Sequence, residues 1–255
     1  MNTQNRTKLK ALLVHHKPGT VALPQWLEGL GISRDLQKAY RRSGWLESLG
    51  SGAMIKPGDH VSWQGALYAI QKQADVPIHV GALTALSTQG YGHYIRLTQE
   101  TIFLFAPLNV SLPRWFTEHR WEHPVQLVKT SLFPDKAGLT EQNEKDFSIT
   151  IASPERAILE CLYLAPKKFD LMECYHLVEG LSGLRPKLVQ ELLEKCSSVK
   201  VKRLFLFMAS KAKHKWLDYV DQRKVDLGHG DRSIVPGGVY NIQFKISIPK
   251  TLAEK

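Results

Sequence analysis

The chain has 255 residues, 43% of them hydrophobic, with a formal net charge of +10 and a pI near 9.5. That length and apolar content exclude a disordered polymer and supply enough material for a substantial core, divided over two domains rather than one. The positive charge favours a polyanionic partner, through electrostatic steering and release of counterions from phosphates.

Cys161, Cys174 and Cys196 are too few and too widely spaced for a disulfide framework or a CxxC zinc site, which reads as a reduced, intracellular chain. The first eight residues lack an apolar signal core, and no stretch approaches the roughly 18 apolar residues that span a bilayer, so a cytoplasmic location with no membrane partner is expected.

Residues 3–16 begin polar and continue with Leu9, Ala11, Leu12 and Leu13, a spacing that buries one face of a first helix before Lys17-Pro18-Gly19 stops it. Residues 20–22 form a short extended piece. Pro24 then opens a second helix, whose Trp26, Leu27 and Leu30 can pack on Leu36 and Tyr40, and Gly31 permits a turn. Ser33 is an N-cap and Asp35 sits in the first turn, so a third helix starts at Arg34 and runs to Gly44. At helical spacing Arg34, Gln37, Lys38, Arg41 and Arg42 share one side, while Leu36, Ala39, Tyr40 and Ser43 form the packing side. Residues 45–49 and 53–56 are strand-compatible segments joined by Gly50-Ser51-Gly52, a hairpin signal.

Helix, short strand, helix, turn, basic helix and hairpin is the order of a winged helix-turn-helix, which places the basic helix in the major groove of DNA and the hairpin on the backbone or minor groove. Nine cationic side chains against three acidic ones between residues 3 and 56 agree with that reading. The residues expected on DNA are Arg34, Gln37, Lys38, Arg41 and Arg42 from the helix, with Ser51 and Lys56 from the wing. Arginine and glutamine can read guanine and adenine edges; the others hold phosphates. An ordinary solvated helix face beside an ordinary hairpin is the alternative.

Lys56-Pro57-Gly58-Asp59 is a turn, and helices over residues 64–74 and 80–89 make a helical connector, with His79 as a capping or packing residue at the second helix start. Strands follow around Tyr94, Ile95 and Leu97, over residues 102–105, 125–129 and 147–151, giving a small mixed sheet. Ser153-Pro154-Glu155-Arg156 starts a capped helix in which Arg156, Glu155 and Glu160 read as structural. Helices over residues 171–181, 187–196, 199–212 and 215–220 form a bundle. Tyr240, Ile242, Phe244, Ile246 and Ile248 then alternate with polar residues as one half-buried strand returning to the central sheet. The expected class is α+β: an amino-terminal winged helix-turn-helix domain with its connector, residues 1–90, followed by a mixed α+β domain, residues 91–255, with a small sheet and a helical bundle.

The chain resembles the AbiEi family of antitoxins from type IV toxin-antitoxin, or abortive-infection, operons. The resemblance is carried by Gly19-Thr20-Val21, by Leu23-Pro24-Gln25-Trp26-Leu27, by residues 33–44, by Ser153-Pro154-Glu155-Arg156-Ala157-Ile158-Leu159-Glu160, by residues 198–206 and by Gly237-Gly238-Val239-Tyr240. It implies a repressor that binds inverted repeats in its own promoter through the winged helix, and a second domain that neutralises a nucleotidyltransferase-like toxin without a required stable complex. The chain would then be a monomer or weak dimer, paired on DNA. For the antitoxin half, Lys200, Lys202, Arg203, Lys211, Lys213 and Lys215 form a second basic run, read as a surface for RNA, further DNA or an acidic partner, with a solvated face on a core helix as the alternative.

An enzyme is the competing class. His119 and His123 are spaced for one helix face, but they do not form His-Glu-x-x-His, and no third ligand is evident. Gly228-His229-Gly230-Asp231 lacks a strand-loop-helix setting and reads as a turn. The expectation is no catalysis, no metal and no cofactor. The other alternative is a winged-helix transcriptional regulator with a ligand- or partner-sensing carboxy-terminal domain.

Overall fold

The computed structural model describes residues 3–91, 101–134 and 136–254. It has an α+β fold in which two hydrophobic cores form. The smaller joins Leu9, Leu12, Leu27, Ile32, Tyr40, Leu46 and Met54. It is enclosed by α1 (Thr3–His15), α2 (Pro24–Gly29), α3 (Arg34–Arg42) and the antiparallel hairpin β1 (Glu47–Ser48) and β2 (Met54–Ile55). Ala22 bridges to Met54, so the hairpin gains a third extended segment.

The larger core surrounds a five-stranded mixed sheet of order β5-β4-β3-β7-β6. Its strands are β3 (His79–Val80), β4 (Ile102–Ala106), β5 (Val125–Lys129), β6 (Leu139–Asn143) and β7 (Ser148–Ala152). The helix expected to begin at residue 80 instead starts two residues later, as α5 (Ala82–Thr88), because His79 and Val80 pair with Phe105 and Leu104 as the central strand. The preceding helix is split into α4 (Trp63–Tyr68) and a π turn (Ala69–Gln73). Residues 60–90 thus supply sheet and core as well as helices. The strand expected around Tyr94, Ile95 and Leu97 lies outside the described residues.

α6 (Arg114–Glu118) follows β4, and beyond β7 the bundle holds α7 (Pro154–Leu164), α8 (Leu171–Gly180), α9 (Pro186–Lys195) and α10 (Val199–Lys211). α7 begins as its sequence signal requires, with Ser153 Oγ accepting from the Arg156 amide and proline at the first turn. The closing segment differs from expectation. Its alternation is broken by a turn in which Lys245 takes φ +52°, so β9 (Val239–Asn241) folds back on β10 (Ile246–Ile248). With β8 (Arg232–Ser233) they make a separate three-stranded sheet, not an extension of the central one. Ile242, at the tip, is 81% exposed. α11 (Lys250–Glu254) ends the described chain.

The small core is joined to the large one through α4 and the π turn that follows it. Gln73 accepts from the Leu23 amide at 2.9 Å and donates to the Val21 carbonyl. Gly65 lies directly on the Gly19 carbonyl, where a Cβ would overlap backbone. Gly65→Ala is therefore expected to cost about 1–3 kcal/mol by overpacking, read as a lowered denaturant midpoint. An unchanged midpoint would contradict this packing.

Candidate nucleic-acid interface

α3 is built as the sequence indicates at both ends. Ser33 Oγ accepts from the Leu36 amide at 3.4 Å, Asp35 occupies the first turn, and Gly44 turns the chain with φ +73°. Its inner face differs. Gln37 and Tyr40 are buried and Leu36 half-buried, while Ala39 is exposed. The Gln37 amide donates to the Pro24 carbonyl at 3.0 Å and to the Ile32 carbonyl at 2.9 Å. Those bonds lock the turn between α2 and α3. Gln37 thereby leaves the set of residues free to read a base edge, a correction to the expected site.

Arg34, Lys38 and Arg41 are exposed and line one cleft with Ser48, Gly50, Ser51 and Gly52 of the hairpin. Positive φ angles of 105° at Gly50 and 96° at Gly52 shape the hairpin tip. Arg34 Nε meets Glu28 at 2.6 Å and Lys38 Nζ meets Asp35 at 3.2 Å, both on the surface. Exposed pairs of this kind contribute at most about 1 kcal/mol, so either cation can be redirected to a phosphate. Arg41 has no ion-pair partner among the described residues. Arg42 is exposed but does not line this cleft. Lys56 is displaced farther: it borders an apolar pocket with Leu9, Leu12, His16 and Trp45. Sequence reasoning overlooked Ser48, whose hydroxyl donates to the Gly50 carbonyl at 2.8 Å. A two-residue strand carries no periodicity that would single it out.

The second basic run does not form a surface. Lys202 and Arg203 are 4% and 2% exposed, and the Lys200 ammonium donates to the Tyr163 and Ala165 carbonyls at 2.8 and 2.6 Å. Lys213 and Lys215, beyond the end of α10, are exposed, and Lys200 and Lys211 are half-buried. The apolar residues of α10 are buried on several sides, so its polar residues are enclosed by the elements packed around it.

The histidine pair does not lie on a helix, although both residues line one cleft. α6 ends at Glu118, and His119 is extended, with its ring 4.3 Å from that of Trp121. His119 and His123 therefore do not share a helix face. Among the described residues no group of three His, Cys, Asp or Glu could hold a metal ion. Burial pushes the Cys161 thiol well above its ordinary value and that of Cys174 up to about 12, which leaves neither as a thiolate at neutral pH. Among the described residues no helix is long and apolar enough to cross a membrane.

Residues 5–97 match the family model described as a transcriptional regulator, AbiEi antitoxin N-terminal domain. Residues 99–249 match the one described as a transcriptional regulator, AbiEi antitoxin, type IV TA system. None of the curated proteins matches the chain. Among solved structures, the crystal structure of the RV2827C protein from Mycobacterium tuberculosis is similar with a TM-score of 0.57 at 13% identity, covering 96% of this chain and 92% of that one. At that identity the likeness speaks to the fold alone.

Proposed function

The chain belongs to the AbiEi family of antitoxin transcriptional regulators of type IV toxin-antitoxin systems, and from that membership we propose that it represses its own operon by binding promoter DNA through α3 and the β1–β2 hairpin. The observation that carries this is the shared cleft: three exposed cations from α3 converge with the backbone and serines of the hairpin tip. In this arrangement α3 enters the major groove and the hairpin lies along the phosphates. Arg41, with no ion-pair partner among the described residues, is the base-reading residue, and Arg34 and Lys38 hold phosphates. Arg42 and Lys56 take at most peripheral phosphate contacts. Inverted-repeat operators place two copies on the DNA, one per half-site.

The second half of the chain we assign to neutralising a nucleotidyltransferase-like toxin encoded with it. Burial of Lys202 and Arg203 removes the broad basic surface as the means.

The test is footprinting and titration of the purified protein on the DNA upstream of its own start codon, at stated salt. Arg41→Ala is expected to weaken specific binding by about 1–3 kcal/mol while leaving non-specific binding nearly unchanged. Equal affinity of the unaltered protein for its promoter and for random duplex would refute the assignment.

A further inference from the structure

A cleft of about 700 Å³ opens beside the central sheet, away from α3 and the hairpin. Its size falls in the range of small-molecule sites. At its wall lies a chain of buried charges. Glu160, fully buried, accepts from Arg156 Nε at 2.8 Å and from the Ala82 amide at 3.0 Å, and pairs with His79 Nε2 at 2.8 Å.

Two further features hold that carboxylate in place. A Cβ on Gly81 would overlap both Glu160 and Phe105, so only glycine admits the close approach. Ala82, which donates its amide to Glu160, has φ +46°, a left-handed conformation costly for a residue with a side chain. Backbone strain of this kind persists only where the surrounding structure fixes it, here through the bond to Glu160.

The carboxylate determines what His79 presents. With the ring proton held on Nε2 toward Glu160, Nδ1 keeps its lone pair. His79 is 5% exposed and lines the cleft, and beyond the bond of Nε2 to Glu160 no hydrogen-bond partner of Nδ1 is found among the described residues. Burial lowers the imidazole's affinity for a proton, against the raising effect of Glu160, which keeps the ring neutral at pH 7. The ring stacks on Phe105 at 5.7 Å, and Phe133, Pro77 and Pro107 supply further flat apolar lining. At the rim Lys72 is paired with Glu141 at 2.9 Å, while Lys136 is exposed and has no ion-pair partner among the described residues.

We propose that this cleft binds a planar heterocycle that donates an N–H or amino hydrogen bond to His79 Nδ1 and carries an acidic group toward Lys136, the chemistry of a mononucleotide. A neutral acceptor at the wall, flat apolar sides and the exposed Lys136 ammonium at the rim match the base, its faces and the phosphate. The site is separate from the DNA-binding cleft, so its test does not depend on the promoter.

The experiment titrates the full chain with AMP, GMP, CMP and UMP, with the matching nucleosides, and with inorganic phosphate, reading calorimetric heat and the ring nitrogen resonances of His79. At least one mononucleotide should bind saturably, move the Nδ1 resonance, and bind about tenfold more weakly to Lys136→Ala, whose exposed site leaves the fold intact. Its nucleoside should still move the resonance, at lower affinity. Binding of inorganic phosphate as tight as that of every nucleotide, a nucleotide that leaves His79 unmoved, or no saturable binding by any of the four would overturn the proposal.

Discussion

Glu160→Ala is expected to destabilise the fold by about 3–5 kcal/mol, the cost of breaking a buried ion pair by removing one partner. The carboxylate it removes is the shared partner of Arg156, His79 and the Ala82 amide. Arg156, 4% exposed, would keep its bond to the Ala137 carbonyl at 2.6 Å and its position 5.1 Å from the centre of the Phe133 ring, but would lose its bond to the Glu160 carboxylate. Glu160→Leu combined with Arg156→Met should recover much of the loss, because apolar residues of similar volume often replace a buried ion pair at little cost. Denaturant unfolding of the single and double variants measures both. A single variant within 1 kcal/mol of the parent would mean that the network contributes little to stability.

The same network sets the acid response. Burial would raise the Glu160 carboxyl, but His79 and Arg156 outweigh it and the group is lowered below 4.5; burial lowers His79 below 6.5 despite Glu160. Both groups therefore bind protons more readily in the unfolded chain than in the folded one. The His79 contribution is present above pH 6.5 and is lost as the pH falls toward its depressed folded value; the Glu160 contribution is lost below pH 4.5. His16, lowered chiefly by burial, adds in the same direction as His79. The melting temperature should fall in two stages on acidification, and His79→Gln should shrink the upper one. A melting temperature that stayed level from pH 7 to pH 4 would contradict these shifts.

Much of this architecture could be read from local chemistry. Ser33 and Ser153 cap α3 and α7 as expected, and the apolar runs of β4, α8 and α10 are long enough for their period to be read. β3 was hidden because two residues have no period, and its place at the sheet centre depends on pairing with Leu104 and Phe105 far along the chain. β6 was hidden for the opposite reason. Leu-Thr-Glu-Gln-Asn is mostly polar, as an edge strand with one solvated face can be. Charge and helical spacing pointed to Arg34, Lys38 and Arg41, which line the cleft beside the hairpin, and also to Arg42, which does not. They could not foresee that Gln37 would serve the α2–α3 turn, since glutamine suits either a base edge or a backbone carbonyl and only the tertiary turn decides.

The second large effect is expected at Arg203, where a cationic motif in sequence becomes a structural joint. Its guanidinium is 2% exposed and donates to the carbonyls of Leu227 at 2.8 Å, Gly230 at 2.7 Å, Lys245 at 3.0 Å and Gly228 at 3.1 Å. The Gly228-His229-Gly230 turn is thus held from inside by α10, with both glycines at positive φ so that their carbonyls converge. Arg203→Ala removes four charge-assisted bonds and opens a cavity, for an expected loss of about 3–5 kcal/mol. Arg203→Lys should recover less than half, because an ammonium on a flexible stem cannot address four acceptors as a planar fork does. Hydrogen exchange localises the effect: protection should fall over residues 227–248, the loop and the three-stranded sheet, before it falls in β4 or β7. Uniform loss of protection would mean that Arg203 stabilises the whole bundle, and an unchanged pattern would show that the loop is held by other contacts.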